Sequence, residues 1–500
     1  MFESLATGIA LLFTFKGILY LCLGVIVGFL FGAVPGLGGV TAIALLMPLT
    51  FGMEPYEAIT LIGGVMGATS FGGSIPAILI NAPGIALNAA TCFDGYPLAR
   101  QGKAGLAIGA AATASSLGGL IGIFALLLFI PIAKQFVLLF GPPEFFMLAM
   151  LGLAAIAAST GDAFLRGLIS ALFGLMLAFI GYDAVSGGIR FTGGSEYLWD
   201  GIPLVPALIG IFAITEMINL TVRGGTVATE SEGLAVTGVF DGVKAVFRNW
   251  PILLRGSLIG TFVGALPGVG GTVASFVAYS ATVQISKNPE SFGKGNIQGV
   301  IAPESANNAK DGGSLIPTLA FGIPGSAETA IFLGVLILHG IEPGPMLLIE
   351  NQGIIFSLIL AVTASCIMSS MIGFALARHL ALITLVDIHI LVPAVVSIAL
   401  VGVYALHSSI EDVILSLAFG VLGYLMVRFS YPRITLVIAL VLGELAERSF
   451  HQSLNMADGD WTIFFTRGLS LALFVFLLAC FAFPVIRFLL AARRAEGGAD

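Results

Sequence analysis

The sequence predicts an all-α polytopic membrane protein with about 11–14 membrane helices and hairpins, arranged as two inverted repeats with discontinuous helices. Three observations carry this: an overall composition too apolar for soluble domains, a series of long apolar runs, and glycine-proline motifs that recur in the same order. The 500 residues are 58% hydrophobic and 10% charged, with a mean hydropathy of +1.05. Too little polar surface remains to clothe soluble domains.

A bilayer helix needs about 20 mostly apolar residues. Candidate spans lie near residues 17 to 34, 104 to 130, 143 to 159, 165 to 181, 201 to 220, 251 to 266, 353 to 377, 389 to 406, 410 to 427, 434 to 447 and 462 to 483, with shorter apolar pieces between them. Runs such as "LSLALFVFLLACFAF" do not alternate as the strands of a membrane barrel do. The start, "MFESLATGIALLFTFKGILY", lacks the basic n-region and cleavage site of a signal peptide, so residues 4 to 14 read as a short interfacial or half-inserted helix. Cys22, Cys92, Cys366 and Cys480 sit in or beside apolar segments at no metal-ligand spacing and read as small core residues. The net charge of −7 comes with no basic tract, which argues against a nucleic-acid partner. The longest polar stretches, 221 to 248 and 286 to 312, are too short for a soluble domain.

Two motifs define the repeat. "GAVPGLGGVT" (32 to 41) returns as "GALPGVGGTV" (264 to 273), with Pro267 for Pro35 at an offset of 232. "GGSIPAILINAPG" (72 to 84) returns as "GGSLIPTLAFGIPG" (312 to 325), with Pro76 and Pro83 answered by Pro317 and Pro324 at an offset of 241. Weaker echoes follow in order: "ALFGL" (171 to 175) with "LAFGV" (417 to 421), and "ALIGIFAITE" ending at Glu216 with "ALVLGELAE" ending at Glu447. Many secondary transporters carry such duplications.

Positive charge in short loops favours the cytoplasm. The C-terminal "RFLLAARRAEGG" is therefore assigned inside, and single crossings backwards place Arg428, Arg433 and Arg378 inside and "HGIEPGPMLLIENQG" (339 to 353) outside. Arg223, Lys244, Arg248, Arg255, Arg100 and Lys103 also fall inside, whereas "SFHQSLNMADGD" (449 to 460) falls outside, so matching segments face opposite sides. The expected organisation is a first inverted repeat at 1–222, a cytoplasmic linker at 223–249, a second inverted repeat at 250–485 and a cytoplasmic tail at 486–500.

Backbone without helical bonds survives at membrane depth only when buried in protein or lining a wet cavity. One "PGLGG" alone is as well explained by an interhelical turn; two copies, each followed by a second break, favour discontinuous helices. Their N-terminal ends can point free N–H groups at an anion, and glycine lets a ligand approach the backbone. The expected substrate-binding residues are Gly36, Gly38, Gly39, Thr41, Gly73, Ser74, Asn81, Gly84 and Asn88 in the first half, and Gly268, Gly270, Gly271, Thr272, Ser314, Gly325 and Ser326 in the second. Carbonyls at opposite helix ends can hold sodium.

These residues resemble a family: the large membrane subunit, TctA type, of bacterial tripartite tricarboxylate transporters. The resemblance covers nearly the whole chain and rests on "PGLGG", "FGGSIPAILINAPG", "DGYPLARQGKAG" (94 to 105), "PGVG", "APESANNA" (302 to 309) and "GGSLIPTLAFGIPG". It implies a sodium-coupled importer of di- or tricarboxylates in the bacterial inner membrane, working with a small membrane subunit and a periplasmic solute-binding protein and needing no cofactor beyond the coupling ion. Two departures stand out. Ile85 and Leu87 precede Asn88 where members commonly carry Thr or Ser, which argues against citrate itself. Lys310 and Asp311 replace the family's usual small residues and are expected to pair with each other.

Among single residues, Glu304, Asn307 and Asn308 are the ion-coupling candidates, since an ionisable group at membrane depth is functional by default. For Glu304 a ligand role and a structural role stay equally open. Asp94 is expected to accept backbone N–H bonds and fix a turn, and Glu216 and Glu447 to end helices at the interface. The histidines at 339, 379, 389, 407 and 451 show no zinc spacing. No dinucleotide fingerprint, P-loop or nucleophile elbow is present, and "FGGSIPA" has no base near it in sequence, so an enzyme is not expected. The alternatives are an anion channel or a carrier of another small organic anion.

Overall fold

The computed structural model describes residues 2–137, 139–159, 164–183, 187–223, 237–344, 346–376 and 388–479. Most of the expected linker, Arg378, His379, Cys480 and the expected tail lie outside the described residues.

The chain opens with α1 (Phe2–Leu12) and α2 (Phe15–Ala33), the latter capped by Thr14, whose hydroxyl accepts from Gly17 N at 2.9 Å. After Val34–Leu37 come α3 (Gly38–Leu46), α4 (Pro55–Ile80), α5 (Ala89–Leu98) and α6 (Ala104–Val137). Then follow α7 (Pro142–Ser159), α8 (Phe164–Ala178), a short antiparallel ribbon of β1 (Gly181–Tyr182) and β2 (Ile189–Arg190), α9 (Leu204–Leu208) and, through a π-turn, α10 (Thr215–Arg223). The second half runs α11 (Val239–Arg248), α12 (Trp250–Ala265), α13 (Gly270–Ile285), α14 (Gln298–Phe321), α15 (Ala327–Leu338), α16 (Leu347–Glu350) and α17 (Gln352–Leu376). It ends with α18 (Ile388–His407), α19 (Ile410–Arg428), α20 (Arg433–Met456), α21 (Ile463–Thr466) and α22 (Gly468–Ala479). Seven helices among the described residues are long and apolar enough to cross a membrane, and seven more apolar helices are shorter. The protein is a largely α-helical polytopic membrane protein.

Two apolar helices gain little from contact in lipid unless their backbones come close, which selects small residues at the contact. Glycines four apart supply this in both halves. A Cβ on Gly24, Gly28 or Gly32 of α2 would stand 2.1, 2.5 and 2.2 Å from the carbonyl oxygens of Leu61, Val65 and Thr69 on α4. On Gly256, Gly260 or Gly264 of α12 it would stand 2.6, 2.2 and 2.5 Å from those of Ala302, Ala306 and Lys310 on α14. The α2 and α12 positions differ by 232 and the α4 and α14 positions by 241, the same two offsets as in the motifs. The duplication therefore extends from sequence to packing.

Several sequence boundaries move. Residues 55–80 and 298–321, passed over as spans because glycine, serine and asparagine lower their hydropathy, are long helices with almost wholly buried interiors. The polar stretch 286 to 312 is not a loop: from Gln298 it is helix, and its polar side chains face protein. Pro76 and Pro317 do not break their helices. α4 ends at Asn81 (φ +55°) and α14 at Gly322 (φ +70°), both left-handed caps. Near the C-terminus, α20 runs to Met456 rather than ending at Glu447, and the expected final span is interrupted at Arg467.

Two compact units are formed by contact. Residues 1–132, 205–266 and 270–424 make the first, and 133–204, 267–269 and 425–500 the second. Within the second, α7 and α8 pack on α20, and a Cβ on Gly174 would meet the Leu436 carbonyl at 2.3 Å. There Glu447, in the body of α20, takes both guanidinium nitrogens of Arg190, at 2.7 and 3.0 Å, and Glu144 takes Arg467 Nε at 2.7 Å. Glu447 is thus a tether for the β-ribbon and does not end its helix.

Candidate functional site

The breaks after α2 and α12 have the same backbone. Gly36 and Gly38 have φ of +93° and +73°, and Gly268 and Gly270 have +73° and +76°. Such angles cost an L side chain energy and are free for glycine. The breaks after α4 and α14 pack beneath them. Gly36 N donates to Gly84 O (3.2 Å) and Gly84 N to Gly73 O (3.1 Å), and a Cβ on Gly84 would lie 2.0 Å from Gly32 O. A Cβ on its counterpart Gly325 would lie 2.8 Å from Gly264 O and 2.7 Å from the Ser314 Cα.

The two halves meet reciprocally. A Cβ on Gly39 would touch Thr69 Oγ1 (3.0 Å) of its own half and Glu328 Oε1 (2.8 Å) of the other. A Cβ on Gly271 would touch Lys310 of its own half (Cγ at 3.0 Å) and Leu87 of the other (Cδ2 at 2.3 Å). Gly39 matches Gly271 at 232, while Thr69 matches Lys310 and Leu87 matches Glu328 at 241. Each half offers the same position to the same partner, the mark of a two-fold relation.

Glu304, fully buried on α14, stands at the centre of a polar cluster. Ser74 and Thr91 donate to it at 2.7 and 2.5 Å, Asn307 Nδ2 at 3.4 Å and Ser115 at 3.5 Å. Ser115 also donates to Asn308 Oδ1 at 3.0 Å, and Asn308 Nδ2 reaches Gly67 O at 3.4 Å. Asn88 donates to Ser70 O (2.9 Å) and Ser74 Oγ (2.8 Å), and its buried Oδ1 accepts no hydrogen bond from the described residues. The carboxylate thus has a base's position beside Ser74, which the sequence order hides because the two lie 230 residues apart. The donors are neutral hydroxyls and amides, groups that can also turn a lone pair to a cation.

A second charged group lies against the breaks. Lys310 Nζ meets Asp311 Oδ1 at 2.6 Å and also Glu328 Oε2, all three side chains being buried. The expected local pair is there, and Glu328 joins it.

Of the other expected residues, Thr41 is buried in α3, Asn81 caps α4, and Gly73 lies on α4 under Asn88, where a Cβ would stand 2.2 Å from its Oδ1. Ser314 is buried and donates to Asp311 O at 3.1 Å; Ser326 caps α15, accepting from Thr329 N at 3.3 Å. Thr272 is half-buried on the first turn of α13. Nothing stands within 4 Å of where a Cβ on Gly270 would be. A separate cavity of about 430 Å³ beside Arg255, Lys287 and Asn296 includes none of the expected residues. Sequence reasoning missed Glu328, Thr91 and Ser115. Glu328 left a signal, a lone acid opening an apolar helix; the two hydroxyls left none.

Asp94 has the expected structural role. Buried in the middle of α5, it accepts Gly295 N (2.9 Å), Asn296 N (2.7 Å) and the Tyr279 hydroxyl (2.9 Å), joining the halves before α14 begins. Asp94→Ala leaves three half-buried donors without their acceptor and should cost roughly 1–3 kcal/mol, read as a lowered melting temperature in detergent. An unchanged melting temperature would contradict this role.

The sequence relations settle the family. Residues 18–438 match the model described as the tripartite tricarboxylate transporter TctA family. The chain belongs to the TctA family. TctA is a transporter family, which accords with the lack of an enzyme motif in the sequence. The TctA chain is 33% identical over 491 residues, 96% of itself and 95% of the relative, to an uncharacterised 52.8 kDa protein of Agrobacterium vitis described by its position in the TAR-I ttuC' 3' region. It is 34% identical over 221 residues to a second uncharacterised protein of that organism, from the TAR-II ttuC' 3' region, covering 44% of this chain and 91% of that one. No solved structure matches.

Proposed function

We propose that the chain is the large permease subunit of a tripartite, sodium-coupled importer of di- or tricarboxylates in the bacterial inner membrane, with its C-terminus cytoplasmic. The observation that carries this reading is the reciprocal meeting of the two breaks, Gly39 with Glu328 and Gly271 with Leu87. A two-fold relation combined with positive charge on opposite sides of matching loops favours inverted repeats, whose interface is where transporters of this build bind substrate.

The glycines at 38, 39, 270 and 271 let backbone N–H groups face a carboxylate, with Thr41, Thr272, Ser314, Ser326, Asn81 and Asn88 as the accompanying polar groups. α3 starts with no side-chain cap, so its first N–H groups are not claimed by a capping side chain. Two half-helix ends supply roughly half a positive charge each; bound sodium offsets the rest of a di- or tricarboxylate. Glu304, Asn307 and Asn308 are the coupling-ion ligands in this reading, and the oxygens of Ser74, Thr91 and Ser115 complete their surroundings. Pro76 and Pro317 lack the N–H that would bond the carbonyls of Gly72 and Gly313, which leaves two more oxygens.

A small membrane subunit and a periplasmic solute-binding protein complete the assembly, the latter capturing the dilute carboxylate. The test is uptake of labelled mono-, di- and tricarboxylates by the complete assembly in proteoliposomes, with and without an inward sodium gradient. Accumulation of di- or tricarboxylates that needs both sodium and the binding protein is expected. Equal uptake without sodium removes the coupling, flux that only runs downhill favours a channel, and transport confined to neutral solutes removes the anion site. Asn308→Ala should raise the sodium concentration for half-maximal uptake by roughly 5-fold or more, the lower end of ordinary coupling effects. An unchanged sodium dependence would take Asn308 out of the site.

A further inference from the structure

The duplication supplies its own control for the Lys310 group. At the offset of 241, Lys310, Asp311 and Glu328 correspond to Thr69, Ser70 and Leu87. The surrounding frame is the same in both halves: Gly32 packs on the Thr69 carbonyl as Gly264 packs on that of Lys310, and Gly39 lies beside Thr69 as Gly271 lies beside Lys310. The first half's own residues at these three positions are uncharged, so the helix packing itself does not require charges there. Burying ions is costly even when they are paired, and Lys310, Asp311 and Glu328 are only 2%, 1% and 5% exposed.

The group is also unbalanced. One ammonium faces two carboxylates, a formal charge of −1. Lys310 takes Oδ1 of Asp311 and Oε2 of Glu328. Apart from the Lys310 ammonium on Oδ1, no described residue donates to the Asp311 carboxylate, and its Oδ2 is buried without a partner. Glu328 Oε1 and Thr69 Oγ1 both approach one point beside Gly39, at 2.8 and 3.0 Å from it. Glu304, by contrast, is furnished with neutral donors.

We propose that Asp311 and Glu328, with the Thr69 hydroxyl, form a sodium site distinct from the Glu304 cluster, in which Lys310 holds the two carboxylates together and the ion supplies the missing positive charge. Hard oxygen atoms and a net charge of −1 suit a monovalent cation. The placement gives the coupling a physical cause: beside Gly39 and Gly271, an uncompensated negative charge opposes an arriving carboxylate, and sodium removes that opposition. The coupling rests on the carboxylate-transport reading; the ion site does not.

Binding of radioactive sodium to the purified full-length chain, displaced by unlabelled sodium but not by potassium, tests the site directly. Asp311→Asn and Glu328→Gln, nearly isosteric, and the triple exchange Lys310→Thr, Asp311→Ser, Glu328→Leu, which installs the first half's own residues, should each elute as a single species. Each should weaken sodium binding by at least roughly tenfold, as even outer-shell losses do at metal sites, while Glu304→Gln leaves this component in place. Sodium should tighten binding of a labelled tricarboxylate to the wild type by roughly 5- to 150-fold, and the triple exchange should lower that factor. Wild-type sodium affinity and stoichiometry in the triple exchange, or binding of protons and not of sodium, would overturn the site. Sodium binding lost in the triple exchange, in a chain that binds no carboxylate, would leave the site standing and sink the transport reading instead.

Discussion

Gly270→Val abolishes carboxylate uptake and leaves a protein that inserts and purifies: that is the outcome expected from the geometry of the second break. Gly270 has φ +76°, and nothing lies within 4 Å of where its Cβ would be. A Cβ there therefore meets no atom of the described residues beyond its chain neighbours, and the strain of a non-glycine residue in this conformation is about 1–3 kcal/mol. A domain stable by 5–15 kcal/mol, to order of magnitude, tolerates that. What it does not tolerate is a branched side chain projecting where the substrate's carboxylate is proposed to reach the backbone. Loss of alignment on this scale is worth roughly 100-fold in rate, so uptake should drop to about 1% of wild type. Monodisperse elution, a melting temperature within a few degrees of wild type and lost transport form the expected set of results. Wild-type uptake by the valine variant would mean that the backbone at Gly270 does not line the path.

Gly260→Leu should have the opposite signature. A Cβ there would lie 2.2 Å from the Ala306 carbonyl oxygen and 2.7 Å from its Cα, both backbone atoms of α14. No rotamer relieves a clash with backbone, so α12 and α14 must separate along a contact set by three glycines. Overpacking a tight core costs about 1–3 kcal/mol when side chains can yield; here they cannot, and the cost should exceed that range. The variant should aggregate or be degraded, measured as loss of the monodisperse peak of a fluorescent fusion. Gly28→Leu, against the Val65 carbonyl at 2.5 Å, should do the same. Gly468→Ala, with nothing within 4 Å, should be silent. A stable, well-behaved Gly260→Leu protein would refute the close packing of α12 on α14.

These two glycines, ten residues apart, show how far sequence reasoning reaches. By itself the sequence determined that the chain is a helical membrane protein of the TctA family, that its motifs recur at 232 and 241, and that its helices break at Pro35 and Pro267. Each of those is written locally: apolar length sets a span, and proline with glycine ends one. The sequence also pointed to Asp94 as a turn-fixing acceptor and to the pairing of Lys310 with Asp311. It misjudged α4 and α14, because a helix surrounded by protein need not be apolar, and hydropathy reads only what faces lipid. Only the tertiary structure decided that Gly24, Gly28 and Gly32 are contact glycines whereas Gly270 is open, that Glu328 completes the charged group, and that Ser74, Thr91 and Ser115 converge on Glu304. Those facts depend on which residues meet in space, the Glu304 contacts across gaps of 189 to 230 positions. Such meetings follow from how helices close on one another, and no local pattern of residue types records them.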